Sequence, residues 1–310
     1  MEHHIGFAFS IEQISYAVFE GNDMMLSDLG AIAYPFEYDE HYLLQQEARI
    51  SLASALKNLI SDKQLHPKSI AFSIESNLAV LKRITYPENL EESGIVDHIS
   101  WHISESLNLP LQEYAYIRSD NITEKDGLKN ELVISIQKKL IRFFRELAVD
   151  LQVPLTTLTV HHLAAELALN SALSDQTEQL VVLFKLASNR YECIIFLNGK
   201  YYQSHFKRLD TSGAPADVQT RLINLIKEEI GNIENLLLTT DQDEILADRI
   251  LLYGPDLDDA LLSLIQKNMS IPVDRFNPLQ NIALANGLQS EMTDETAAAY
   301  VECVGVSLDQ

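Results

Sequence analysis

The sequence has few of the features that would mark nucleic-acid or membrane binding. Basic residues number 23 against 45 acidic ones, and the formal net charge of −22 repels phosphates and anionic lipid headgroups. No basic run reverses this locally, so we expect no nucleic-acid partner. No apolar run approaches the roughly 18 residues of a spanning helix, and the N-terminus does not resemble a signal peptide. We therefore expect a cytoplasmic protein without direct membrane insertion.

Common catalytic motifs are also missing. The 310 residues contain no GxxxxGK[ST], no GxGxxG and no nucleophile elbow. Cys193 and Cys303 lie in apolar stretches, which favours buried, reduced thiols over a disulfide. The histidine pairs His98/His102 and His161-His162 supply too few ligands for a metal, so structural roles are expected and no metal site is predicted.

The strongest positive signal is a strand meander that occurs twice. Apolar residues predict strands at 5–9 and 14–19, joined by a short turn and followed by the turn Gly21-Asn22-Asp23. Residues 181–209 repeat this pattern and include the hairpin dipeptide Asn198-Gly199. A helix and then a strand follow each meander: helices at 43–60 and 216–230, strands at 69–74 and 249–253. The chain is therefore expected to be an α/β protein with two β-β-β-α-β halves.

A small α+β segment separates the two halves. It begins near Asn77, contains strands, helices and polar turns, and ends with a predicted helix over 138–151. We expect a first lobe at 1–76, completed by a C-terminal helix at about 290–310. We expect an inserted subdomain at 77–152 and a second lobe at 153–290.

These features resemble one branch of the actin-like ATPase superfamily. The resemblance is carried by the two halves, the insert passage SIAFSIESNLAVLKRITYPENLEESGIVDHISWHISESLNLPLQEYAYI, the tail RILLYGPDLDDALLSLIQKNMSIPVDRFNPLQNIA and the ending AAAYVECVGVSL. They resemble the type IV pilus assembly protein PilM family and its cell-division relative FtsA, over nearly the whole chain. The resemblance implies a two-lobed actin-like fold, in which ribonuclease H-like β-β-β-α-β-α halves are duplicated and the insert lies in the first lobe.

The nucleotide motifs of that family are degenerate here. In the family the first meander reads roughly I-G-x-D-I-G-S-S-S-x-K. Its aspartate coordinates the metal-bound water, and its glycine lets backbone N–H groups approach a phosphate. The positions that match the first motif, the D-x-G of the second meander and the adenosine-side Gly-Gly are Ala8, Ser10, Ser15, Lys185, Ala187, Gly254 and Pro255. We therefore expect no catalytic residue, and neither ATP nor Mg²⁺ as cofactor unless the pocket is compensated, for example by Lys185 contacting a phosphate.

The resemblance also implies a partner. It suggests a pseudo-ATPase adaptor that binds the cytoplasmic tail of a PilN-like inner-membrane protein and links it to motor ATPases of a pilus or type II secretion-like assembly. The partner would recruit the protein to the inner membrane, and self-association is left open. By position, the tail would lie in a groove between the first β-unit and the insert, near residues 79–86 and 131–136.

Alternatives remain at this level. One is an FtsA-like filament-forming protein, although the ending VGVSLDQ lacks the residues of a membrane-targeting helix. Another is a small-molecule kinase or ATPase with an unconventional pocket. A basic stripe of Lys138, Lys139, Arg142 and Arg145 on one predicted helix is either a solvated face or a docking face for an acidic partner.

Overall fold

The computed structural model describes residues 2–21, 24–173, 180–187, 190–239, 246–289 and 292–309. Two residues of the predicted first turn, Asn22 and Asp23, lie outside this set. The chain divides into two compact units, Met1–His161 with Val306–Gln310, and His162–Gly305. This division is coarser than the three segments expected from the sequence, whose bounds stay predictions.

The first unit contains two sheets and four helices among its described residues. Its elements in chain order are β1 (His3–Phe9), β2 (Ile14–Glu20), β3 (Met25–Ile32), α1 (Glu40–Leu43), α2 (Gln46–Asp62), β4 (Pro67–Ile74), β5 (Ala79–Pro87), α3 (Glu92–Ser104), β6 (Tyr114–Lys125), β7 (Leu128–Gln137), α4 (Lys138–Leu151) and β8 (Leu155–Val160). The main sheet has the order β3-β2-β1-β4-β8. β1 to β3 form an antiparallel meander, and β4 and β8 continue the sheet in parallel with β1.

Alternation along β1 determines how this sheet packs. Phe7 and Phe9 point to one face, whereas the small residues Gly6 and Ala8 point to the other. On the aromatic face, Phe144 of α4 lies 4.9 Å from Phe9 and 5.6 Å from Phe72 between ring centroids. These buried rings hold α4 against the sheet, and α4 in turn follows the insert directly.

The insert is a three-stranded antiparallel sheet in the order β5-β7-β6. Helix α3 covers one face through Ile95, Ile99 and Ile103, which recur at helical spacing and pack on Ile84 and Tyr86. β5 and β6 are both edge strands of this sheet.

The second unit repeats the topology of the first main sheet. In chain order its elements are α5 (His161–Ala172), β9 (Leu180–Ala187), β10 (Arg190–Leu197), β11 (Lys200–Arg208), α6 (Pro215–Thr239), β12 (Arg249–Tyr253), α7 (Asp259–Asn268), β13 (Val273–Arg275), α8 (Asp294–Ala297) and α9 (Val301–Ser307). The first residue of α5 and the last two of α9 are assigned to the first unit. The sheet order is β11-β10-β9-β12-β13, again a meander followed by parallel strands. The predicted duplication is thus confirmed. The Asn198-Gly199 hairpin is also confirmed, since both residues have positive φ.

In the second half the structure adds one strand and corrects two expected helices. The short strand β13 was not predicted. Helix α6 does not end at residue 230 but continues to Thr239, because Ile230 and Ile233 keep its apolar face buried beyond Gly231. The expected C-terminal helix is two short helices, α8 and α9, because the chain between them bonds at the tighter i to i+3 spacing.

No helix in the described part of the chain is both long enough and apolar enough to cross a bilayer.

Candidate functional site

In the first unit, the carboxyl ends of three parallel strands bring polar residues together. Ser10 follows β1, Glu75 follows β4 and His161 follows β8. In open α/β sheets this edge is where ligands bind, because the loops there can reach one another. Glu75 is only 2% exposed, and its Oε2 lies 4.0 Å from Nδ1 of His161. The matched position Ser10 therefore lies at the edge where a site is expected.

The turn after β1 is closed by groups of the chain itself. The Ser10 N–H and hydroxyl both donate to the Gln13 carbonyl, at 3.1 and 2.9 Å. The Ile11 N–H donates to Oε1 of Glu75 at 3.1 Å. The Tyr34 hydroxyl donates to the Ser10 carbonyl at 2.8 Å, and burial, assisted by Tyr38 and Glu75, raises the pKa of Tyr34. A backbone donor that could face an anionic ligand is thus bonded to a buried carboxylate.

Position 8 offers little to a metal ion. Ala8 is buried in β1 between Ser15 of β2 and Ser73 of β4, its neighbours in the sheet. The matched positions Ala8 and Ser15 carry no charge at all. Mg²⁺ is held by carboxylates and water in most protein sites, and neither residue provides a carboxylate.

In the second unit, Lys185 is held in a buried ion pair. It lies on β9, and its Nζ is 2.8 Å from Oε1 of Glu302. The Tyr253 hydroxyl donates to the same oxygen at 3.0 Å. The side chains of Lys185 and Glu302 are 11% and 6% exposed. The ammonium group of Lys185, which was considered as a phosphate contact, is therefore paired with a carboxylate of the same unit.

Gly254 lies where β12 passes very close to β9. Its φ is +117°, and a Cβ at this position would come within 2.2 Å of the Leu186 carbonyl oxygen. Ala187, which matches the glycine of the family's D-x-G, is the last residue of β9 and follows Leu186 directly. The following Pro255 provides no N–H for a ligand. The glycine here has a packing reason that is independent of any ligand.

Two of the acidic residues after Gly254 belong to the N-terminus of α7. Asp258 caps α7 by accepting from the Leu261 N–H at 2.7 Å. Asp259 pairs with Arg275 at 2.9 Å between Oδ1 and an Nη atom.

A small cavity of about 250 Å³ lies beside these residues in the second unit. Its wall is mostly apolar, with Arg190 and Asp256 as its charged members. The other lining residues are Leu186, Ala187, Leu209, Val218, Gln219, Leu222 and Leu261. Its volume falls below the roughly 300–1,000 Å³ of typical small-molecule sites.

A larger groove, which we call the insert groove, lies in the first unit, with a volume of about 680 Å³. It runs between the α1–α2 junction, the start of β5, the segment after α3 and the first turn of α4. Its lining residues are Leu43, Leu44, Gln45, Asn77, Leu78, Ala79, Val80, Ser106, Asn108, Leu109, Tyr114, Gln137, Lys139 and Leu140. Apolar and polar side chains contribute almost equally to this lining, and short extended peptides bind such grooves through backbone hydrogen bonds and a few apolar pockets.

The position of this groove refines the prediction from the sequence. The groove reaches only Ala79 and Val80 of the segment 79–86, and no residue of 131–136 lines it. Glu131 is buried and accepts from the Tyr86 hydroxyl at 2.6 Å and from Arg118 Nε at 2.8 Å. The buried carboxylate thus contributes to the interior of the insert and not to a groove.

The histidine pairs have protein partners. His98 Nε2 is 3.0 Å from the Thr85 carbonyl oxygen, and His162 Nε2 is 3.4 Å from Oε2 of Glu192. Among the described residues, no group of three or more His, Cys, Asp or Glu side chains is arranged to hold a metal ion. Cys193 and Cys303 are both buried free thiols, as predicted, and burial raises the pKa of Cys193.

Sequence reasoning missed Glu75, Tyr34 and Glu302, three residues that decide what the matched positions contact. Glu75 alone left a signal, because a charged residue directly follows the apolar strand IAFSI. Tyr34 lies in a segment without a distinctive pattern, and Glu302 lies in the ending AAAYVECVGVSL, where nothing local links it to Lys185.

The two repeated sheets, with an insert after the fourth strand, define an α/β protein of the actin-like fold. Over 98% of this chain and 97% of the other, the structure is similar to a chain of a "PilM-PilN type IV pilus biogenesis complex", with a TM-score of 0.75 at 12% sequence identity. A weaker similarity is to the cytoplasmic domain of EpsL, an inner-membrane component of the Vibrio cholerae type II secretion system, with a TM-score of 0.47 at 9% identity over 86% of this chain and 94% of that one. Another is to a Bacteroides thetaiotaomicron protein with an actin-like ATPase fold, with a TM-score of 0.44 at 15% identity over 93% of this chain and 95% of that one.

No protein-family model matches the sequence, and no curated protein matches it. At these identities the solved structures establish the fold alone.

Proposed function

We propose that this protein is an actin-like adaptor at the cytoplasmic face of the inner membrane, in a pilus or type II secretion-like assembly. It binds the cytoplasmic tail of a PilN-like membrane protein and does not hydrolyse ATP. The observation that carries the proposal is the insert groove, which a short extended peptide would fit. The likeness to a PilM–PilN complex over 98% of the chain supports this choice of partner.

Loss of ATPase activity is supported by the contacts at the matched positions. The Ile11 N–H, a donor that a phosphate would need, is bonded to Glu75. The Lys185 ammonium, which a phosphate would also need, is paired with Glu302. In each unit a phosphate would have to displace a carboxylate from the donor, and in the first unit Ala8 offers no carboxylate to organise a metal ion.

A peptide-binding assay tests the partner. Synthetic cytoplasmic tails of the single-pass membrane proteins encoded beside this gene would be titrated against the protein by fluorescence anisotropy. We expect one tail to bind, and we expect Leu109→Asp, which places a charge on the exposed apolar rim of the groove, to weaken it about tenfold or more. Ile50→Asp changes an apolar residue of α2 outside the groove that is at least as exposed as Leu109; it is the matched control and should leave binding unchanged. Binding of no tail, or equal loss in both variants, contradicts the proposal.

A thermal-shift assay tests the absence of nucleotide binding and the kinase alternative, for which the cavity beside Ala187 is the favourable observation. A ligand at a hundredfold its Kd stabilises a protein by about 2.7 kcal/mol, which for a chain of this size is about 5 °C in Tm. We expect ATP with Mg²⁺ to produce no such rise. A clear rise would refute the pseudo-ATPase proposal while leaving the peptide site standing.

A further inference from the structure

The outer side of helix α4 carries a second groove, which we call the α4 groove. It has a volume of about 480 Å³ and shares no lining residue with the insert groove. Lys138, Ile141, Arg142, Arg145 and Val149 line it, with helical spacings of three and four that place them on one side of α4. Ala115 of β6 forms its far wall.

Two cations of this groove are available to a ligand. Arg142 and Arg145 are exposed, and neither is in an ion pair within the described ranges. Lys138 instead donates to the Gln112 carbonyl oxygen at 2.8 Å, and the one acid of the groove, Glu146, is 3.5 Å from Arg49 Nε. Acidic residues outnumber basic ones by 45 to 23 in this chain, so adjacent unpaired arginines are an unusual local surplus of positive charge.

The same surface exposes apolar side chains and the edge of a strand. Val149 is 73% and Ile117 is 63% exposed, the largest values among the large hydrophobic side chains described. Ile117 shares a face of β6 with Ala115, two residues away. Among the described strands β6 pairs with β7 alone, which makes it an edge strand of the insert sheet, and such an edge can pair with an added extended chain.

We propose that the α4 groove docks a short extended peptide that is both acidic and apolar. Its carboxylates would meet Arg142 and Arg145, where Arg can bind a carboxylate in a bidentate manner. Its apolar side chains would cover Ile141 and Val149. An anionic membrane fits less well, because the net charge of −22 opposes approach to such a surface and only three cations face outward here. This docking site goes beyond the proposed tail-binding function and does not depend on it.

A selection from a phage-displayed library of random peptides tests the proposal with the whole protein as bait. We expect the enriched sequences to contain several acidic residues separated by apolar ones. The affinity of an enriched peptide for the wild-type protein, measured by fluorescence anisotropy, should fall about tenfold or more in Arg142→Glu/Arg145→Glu and should fall as NaCl is raised from about 0.05 to 0.5 M. The double variant Lys57→Glu/Lys227→Glu makes the same charge change at exposed lysines outside both grooves, and it should bind as the wild type does.

Each other outcome overturns the proposal in a distinct way. The proposed site is refuted if the enriched peptides are not acidic, or if both double variants lose peptide affinity equally. Sensitivity to Leu109→Asp with no effect of Arg142→Glu/Arg145→Glu assigns the peptide to the insert groove and would support the proposed function alone. Two further measurements name other occupants. Binding to phosphatidylcholine–phosphatidylserine vesicles that the arginine variant abolishes would point to a membrane, and a change in sedimentation of that variant would point to a second copy of this chain.

Discussion

Replacing Lys185 by methionine should destabilise the second unit strongly. The substitution keeps most of the side-chain volume but leaves Glu302 buried without its ammonium partner, which lies 2.8 Å away. The Tyr253 hydroxyl still donates to that carboxylate, so the loss is partial. Breaking a buried ion pair from one side costs about 3–5 kcal/mol, and we expect a value in the lower part of this range for Lys185→Met.

A double-mutant cycle separates the ion pair from other effects. Glu302→Gln removes the charge while keeping an acceptor for Tyr253, so the double variant Lys185→Met/Glu302→Gln buries no net charge. We expect it to recover about 2 kcal/mol of the loss, which appears as a coupling energy between the two positions. Lys227→Met, at an exposed lysine of α6, should change stability by less than about 0.5 kcal/mol.

Urea unfolding followed by circular dichroism measures these free energies. A chain of two compact units commonly unfolds in more than one step, and the sole tryptophan, Trp101, lies in the first unit. Trp101 fluorescence therefore reports on the first unit, whereas circular dichroism reports on both. Because Lys185 and Glu302 lie in the second unit, the variants should lower the urea midpoint seen by circular dichroism and leave the fluorescence midpoint unchanged. Two results together would refute the reasoning. Lys185→Met would cost less than about 1 kcal/mol of unfolding free energy, and ATP would raise the Tm of the wild type but not of this variant. Lys185 would then be a phosphate ligand.

Further expectations concern packing and thiol reactivity. Gly305→Ala should cost at least about 3 kcal/mol in urea unfolding, because its Cβ would lie 1.8 Å from the backbone oxygen of Ala164; a cost near zero would show that α5 and α9 can separate freely. Gly231→Ala, inside α6 with open space around the new methyl group, should instead stabilise the protein by about 0.5–1 kcal/mol, and destabilisation would contradict the described helix. Ellman's reagent at pH 8 should react with neither Cys193 nor Cys303 in the native protein and with both in denaturant. Both thiols are buried, and the raised pKa of Cys193 leaves little thiolate; rapid native labelling would disprove the burial.

Where local pattern was strong, the sequence predicted the fold closely. The bounds of α4 agree with the expected helix 138–151, because α4 has a sharply one-sided apolar pattern. The double meander was visible because alternating apolar residues and a dipeptide such as Asn198-Gly199 are local signals. β13 was missed because three residues are too few to show a period. The predicted helix 216–230 is shorter than α6, which continues through Gly231 because Ile233 is buried beyond it.

The candidate site shows a different limit. Sequence matching located Ser10 and Gly254 at strand ends, where the structure also has them. It could not supply their contacts, because the partners come from distant parts of the chain. Glu75 reaches Ile11 from 64 positions away, and Lys185 meets a carboxylate near the other end of the sequence. Such pairs follow from the order of strands in a sheet and not from any local period.

These contacts bear on how a protein of this fold could lose its ligand without losing stability. A turn that faces an anion leaves its N–H groups unpaired when the anion is absent, and an unpaired buried donor is costly. Here Glu75 pairs with the Ile11 N–H and Glu302 pairs with Lys185, so each of these two cationic or N–H donors has a carboxylate partner within its own unit. A chain that provides such carboxylates needs no bound anion to pair these donors. The insert groove and the α4 groove lie outside these contacts and are free to serve protein partners.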